Sequence, residues 1–194
     1  METGNQDRVV ETTANSGLLD RCKAELPDVM GHLIFWPLLL AGLAADLGTK
    51  RAVFAWLRDR PGQSTEILDG FLSFRLALNT GAAFGLASGR LTFLVGVSVL
   101  ALLIILGVFF FGSVRQRMVQ VALGLFGAGV SGNLWDRLFN GGQVRDFIDV
   151  VYWPGRHWHT FNIADAMLCV AVGVLVVATF LTRSSDRTHA PLQK

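Results

Sequence analysis

The chain has 194 residues, of which 52% are hydrophobic and only 16% charged. A soluble domain of this size carries nearer to about a quarter charged residues, so the composition indicates a polytopic membrane protein organised as one domain. The formal net charge of +2, with no basic run, gives no reason to expect a nucleic-acid partner.

Residues 1–28 mix acids, bases and small polar residues without apolar periodicity. They read as a polar tail, with room for a short helix near Gly17–Leu26, and not as a cleavable signal peptide. The first apolar segment runs from about Gly31 to Leu57. Its uninterrupted part, Leu33 to Ala45, is short for a span that needs about 20 residues, so the helix must continue past Asp46 and Lys50. Those two residues are four apart, so on a helix they share a face. They are expected either to pair near the membrane boundary or to orient groups of a nearby site.

From Arg58 to Arg90 the chain is polar to mixed, with a turn at Arg60-Pro61-Gly62. Phe71 to Leu78 partly alternates, as a strand does, and Asn79-Thr80-Gly81 follows as a turn. The small residues Ala82, Ala83 and Gly85 leave room for another chain to lie close. A strand here serves either as a cap on the bundle or as an edge for an extended peptide.

Leu91 to Phe111 is a charge-free second span, followed by a short loop with Arg115 and Arg117. The third span, about Val119 to Leu138, contains Gly124, Gly127, Gly129 and Gly132, small residues that let helices approach closely in lipid. Phe139 to Thr160 is expected to be an amphipathic loop, with Trp153 and Trp158 suited to the membrane interface. The fourth span is about Phe161 to Thr182, and a polar tail closes the chain. Four spans put both termini on one side. Lys and Arg tie at eight against eight on the two sides once Arg137 is set aside as intramembrane, so charge does not fix the orientation. Cys22 and Cys169 lie in unlike surroundings and form no C-x-x-C pair, which suits unpaired structural thiols.

The chemistry concentrates between Gly132 and Asp165. Asp136, Asp146, Asp149 and Asp165 lie here, where ionisable groups at membrane depth mark a functional site. Asn133, Asp136 and Arg137 share one face at the end of span three. Asn162 and Asp165 lie on the opening turn of span four, where a helix amino terminus favours a negative side chain. Two carboxylates that meet in a low-dielectric site share one proton and can activate water against an amide. Asp136, beside Asn133 and Arg137, suits a structural role. Asp146 and Asp149 both remain candidates to meet Asp165, because spacing alone does not choose between them. No serine, cysteine or lysine nucleophile competes. The His157-x-His159 pair lacks a third metal ligand. A proton path through Asp136, Asp146 and Asp165 in a transporter is the non-enzymatic rival.

The ordered set Asp46-Leu-Gly-Thr-Lys50, Asn79-Thr-Gly-Ala-Ala-Phe84, Gly132-Asn133-Leu-Trp-Asp136-Arg137, Val144-Arg-Asp146-Phe147 and Phe161-Asn162-Ile-Ala-Asp165 resembles the lipoprotein signal peptidase (signal peptidase II) family. The resemblance runs from roughly residue 31 to 182. It implies an α-helical membrane protein with four transmembrane helices, a small extracytoplasmic β-sheet cradle and an amphipathic extracytoplasmic segment. Residues 29–183 would form the peptidase domain, between cytoplasmic tails at 1–28 and 184–194. It further implies a multi-pass protein of the bacterial inner membrane, cleaving diacylglyceryl-modified prolipoproteins just before the lipidated cysteine. The expected catalytic pair is Asp146 and Asp165. Asp46, Lys50, Asn79, Gly81, Asn133, Asp136, Arg137 and Asn162 would support it or bind substrate. No cofactor or metal is implied. Membrane lipids and the cyclic peptide inhibitor globomycin are implied as partners, and the protein is expected to act as a monomer. Two features depart from the family's usual pattern: a long amino tail, and Arg145 where an apolar or small residue is more common. A cation beside Asp146 is expected to lower that residue's pKa.

Overall fold

The computed structural model describes residues 27–81, 89–112, 114–153 and 155–188, with side chains as far as 181. The expected helix near 17–26, the small residues at 82–85 and Cys22 lie outside the described residues. Among the described residues, four helices are long and apolar enough to cross a membrane. They are α1 (Val29–Leu57), α2 (Leu91–Phe111), α3 (Arg117–Phe139) and α4 (Ile163–Thr188). At about 1.5 Å per residue, even α2, with 21 residues, spans the ~30 Å hydrocarbon layer.

α3 is the central helix. It packs most extensively against α1 and α4, and also against α2. Small residues bring these helices together: a Cβ on Gly129 would lie 2.7 Å from the carbonyl oxygen of Ala164, so the α3 and α4 backbones approach closely there. At one end of the bundle Phe35, Ile105, Phe109 and Leu123 form the buried apolar cluster, with the Phe35 and Phe109 rings stacked 4.1 Å apart. At this end Asp28 caps α1, accepting the Gly31 N–H at 2.9 Å, and takes the Arg117 guanidinium on both oxygens. The Arg117 hydrogen bonds hold the Asp28 carboxyl well below the usual carboxylate range.

At the other end lies an antiparallel sheet, ordered β1 (Ser64–Leu68), β2 (Leu72–Asn79), β3 (Val144–Trp153) and β4 (Arg156–His157). The strand expected at 71–78 is β2. β1 lies in the stretch 58–90 where no strand before residue 71 is expected, and the stretch 139–160, expected as a loop, is largely strand. β3 is rich in β-branched and aromatic residues but is buried on both faces over much of its length, so it lacks the alternation that marks a half-buried strand.

Two contacts fix the sheet to the bundle. β3 pairs with β2 so that Asn79 lies opposite Val144 and Ala77 opposite Asp146. Phe161, just before α4, forms an antiparallel bridge to Ile148, with N–H to O distances of 2.8 Å and 3.0 Å. That bridge carries the start of α4 to the strand holding Asp146.

Candidate active site

The opening of α4 is a capping box. Asn162 Oδ1 accepts the Asp165 N–H at 3.0 Å, and Asp165 Oδ2 accepts the Asn162 N–H at 3.2 Å. The carboxylate is therefore fixed at the positive end of the helix. Its other oxygen accepts from Asn133 Nδ2, on α3, at 2.8 Å.

Asp146 is buried on β3. Its Oδ1 accepts from Asn162 Nδ2 at 2.6 Å, and its Oδ2 from Asn79 Nδ2 at 3.2 Å. Asn162 thus bonds to both carboxylates, through its side chain to one and its main chain to the other. Burial, and next the charge of Asp165, push the Asp146 carboxyl up to about 6, although Asn79, Asn162 and Lys50 pull the other way.

The supporting residues form a continuous polar layer behind the two acids. The amide oxygen of Asn133 accepts from Lys50 Nζ at 3.0 Å and from Asn162 Nδ2 at 3.1 Å, which turns its NH2 toward Asp165. Lys50 lies 2.7 Å from Asp46 and 3.4 Å from Asp136, with all three side chains fully buried. Asp46 Oδ1 also accepts the Ala164 N–H at 2.9 Å. The pair is thus buried inside the bundle, in contact with the start of α4 through Ala164 and with Asn133 beside Asp165. Asn79 closes a turn by accepting the Gly81 N–H at 2.8 Å, and the Gly81 carbonyl accepts from Arg137 Nη2 at 2.9 Å. All ten residues singled out from the sequence meet in this one network.

Asp136 is fully buried, and its main partner is not its neighbour Arg137. It accepts from Arg145, through the guanidinium and through the main-chain N–H. Arg145 therefore does not lower the pKa of Asp146 as expected; adjacent strand residues face opposite ways, and its charge is directed at Asp136. Asp149 likewise faces away from Asp146. It accepts from Ser73 Oγ at 3.1 Å and lies 2.8 Å from His157 Nδ1. That cluster was not anticipated, since nothing in the sequence pairs Ser73 with Asp149 across 76 positions.

A cavity of about 700 Å³ opens beside the two acids. Asn79, Asp146 and Asp165 line its polar side, and Leu94, Val97 and Val170 contribute to its larger apolar side.

Gly132 borders Asp46 so closely that an added Cβ would collide with its carboxylate. Neither partner can easily yield, because Lys50 and the Ala164 N–H hold Asp46. Gly132→Ala is expected to cost about 1–3 kcal/mol and lower the melting temperature of the protein in micelles. An unchanged melting temperature would show that α1 and α3 can separate there.

One buried and one half-buried carboxylate beside an apolar cavity, carried by four spans and a sheet, define a membrane protein equipped for acid–base chemistry. The family model described as signal peptidase (SPase) II matches residues 38–181. The chain belongs to the signal peptidase II family, aspartic endopeptidases that remove signal peptides from prolipoproteins. It is 39% identical over 152 residues to the lipoprotein signal peptidase of Geobacter sulfurreducens, covering 75% of this chain and 91% of that one. To the Rhodopirellula baltica enzyme of the same name it is 35% identical over 166 residues, covering 77% and 72%. A bacterial membrane enzyme solved by the in meso method at 2.3 Å resolution superposes with a TM-score of 0.71 at 28% identity, covering 87% of this chain and 98% of the other.

Proposed function

We propose that Asp146 and Asp165 are the catalytic pair, and that they cleave the peptide bond before a diacylglyceryl-modified cysteine. The observation that carries this reading is the shared hydrogen bonding of both carboxylates by Asn162 at the edge of the cavity. Asp146, pushed up to about 6, is the member that holds the proton. Its tighter bond from Asn162 keeps Oδ1 an acceptor and leaves Oδ2 to carry that proton. Asp165 takes a proton from water as the water attacks the scissile carbonyl, while Asp146 donates to the carbonyl oxygen. When the C–N bond breaks, the amine nitrogen takes the proton from Asp165, and Asp146 recovers a proton from the gem-diol hydroxyl as the new carboxyl group forms. The apolar side of the cavity receives the substrate's acyl chains, and Asn79 and Gly81 steady its extended backbone.

The same reading places the site near the extracytoplasmic surface of the inner membrane, with both termini cytoplasmic. It takes residues 29–183 as the peptidase unit, acting as a monomer among membrane lipids and open to inhibition by globomycin. Support comes from the family match over residues 38–181 and from the four spans.

The test uses purified protein in micelles and a lipidated precursor peptide, with product read by mass spectrometry across pH. Cleavage before the modified cysteine is expected. The rate constant kcat/KM should fall as pH rises through about 6, because Asp146 then loses the proton it must donate. No product at any pH would overturn the reading, and would favour the proton-path alternative.

A further inference from the structure

Arg145 lies outside the proposed catalytic pair and its supporting residues, yet it makes the most extensive grip on the site's polar layer. Its Nε and Nη2 reach Asp136 Oδ1 at 3.1 Å and 2.5 Å, and its main-chain N–H reaches Asp136 Oδ2 at 2.9 Å. A single carboxylate at the end of α3 thus holds both the side chain and the backbone of the residue immediately before Asp146. The side chain of Asp136 is fully buried, and that of Arg145 is 15% exposed, so little solvent screens the pair.

We propose that Arg145 is a positioning residue: by clamping the start of β3 to Asp136, it sets Asp146 against Asn79 and Asn162 and balances the charge behind the pair. This rests on the catalytic reading of Asp146 and Asp165 given above.

The charge argument follows from the contacts. Lys50 is 2.7 Å from Asp46 but 3.4 Å from Asp136, and it also donates to Asn133. One ammonium serves two carboxylates, Asp46 and Asp136, and Arg145 supplies the second cation that those two need. With Arg145 in place, Lys50 remains drawn toward Asp46 and Asn133. Without it, Asp136 competes for Lys50, and an uncompensated negative charge sits behind Asp146. The charged groups that act on Asp146 are Asp165 from α4, Lys50 from α1 and Arg137 from α3, and Asp136 acts in turn on Arg137.

The variants are Arg145→Gln and Arg145→Lys, compared with the wild type and with Asp146→Asn in the lipidated-precursor assay. Arg145→Gln should lower kcat by about 10- to 100-fold with little change in KM, since a misplacement of about an ångström at a reacting group costs that much. The descending limb of its pH profile should move to higher pH by roughly half a unit, because the added negative charge disfavours ionisation of Asp146. Arg145→Lys should restore the limb, by returning the charge. It should recover kcat only in part, because an ammonium cannot reproduce the forked grip. The proposal is overturned if Arg145→Gln cleaves within about twofold of wild type. It is also overturned if its loss of rate matches its loss of folded protein while the limb stays in place. Cleavage retained by Asp146→Asn would instead sink the catalytic reading itself, so the two failures are distinct.

Discussion

Asp146→Asn and Asp165→Asn should each reduce cleavage of a lipidated precursor by at least about 10³-fold, in keeping with what general acid–base catalysis supplies. Folding should survive. Asparagine keeps the shape of either side chain, and it loses at most one of the two hydrogen bonds each carboxylate accepts, a net cost of about 1 kcal/mol. For Asp146 a second effect opposes that loss. Its carboxyl ionises at about 6 when folded, against 3.8 for the ordinary group, so the unfolded chain gains from ionisation first as pH rises. Wild-type stability therefore falls between about pH 4 and 6 and stays lowered above it, by at most about 3 kcal/mol. Asp146→Asn has no such penalty. Its melting temperature relative to wild type should rise as pH goes from 4 to 7, while cleavage stays absent. Asp149→Asn serves as the contrast, since its partners Ser73 and His157 lie off the proposed pair, and it should cleave within about tenfold of wild type. Wild-type cleavage by either Asp146→Asn or Asp165→Asn would refute the assignment.

The helices were legible because membrane spans declare themselves by length and lack of charge; α2 begins and ends where its apolar run does. The sheet was half legible. β1 was missed although Asp69-Gly70 stands between two apolar-containing runs, a hairpin signal; Gly70 takes φ +69°, as such a turn requires. β3 was missed for a different reason. Wedged between β2 and the helices, it buries Asp146, Phe147 and Asp149 together, and no period of two survives. Reading it as a strand would have separated Asp146 from Asp149, since residues three apart on a strand face opposite ways. It would also have turned Arg145 away from Asp146. The capping box at Asn162 and Asp165 was written in the sequence as a spacing of three. That Asn162 also reaches Asp146 depends on the Phe161 bridge to Ile148, and strand pairing across 13 residues has no local signature.

Lys50→Met should give the largest loss of stability among single changes in the polar layer. The methionine matches the lysine stem in bulk, so packing is nearly preserved and the missing ammonium dominates. Asp136 would still be held by Arg145. Asp46 would not be so well served: fully buried, it would be left with only the Ala164 N–H on Oδ1 and nothing facing Oδ2. Removing one partner of a buried pair typically costs about 3–5 kcal/mol, because the remaining charge stays desolvated. Replacing both partners is far milder, so Lys50→Met with Asp46→Asn should recover most of the loss, and the two changes should be strongly non-additive. Activity per folded molecule should suffer less than stability. Asn133 Oδ1 retains its bond from Asn162 Nδ2, so the amide keeps its orientation toward Asp165 without Lys50. Thermal unfolding of the four proteins of this cycle in micelles measures the coupling. A double variant no more stable than Lys50→Met would mean that Asp46 does not depend on Lys50 for its charge balance.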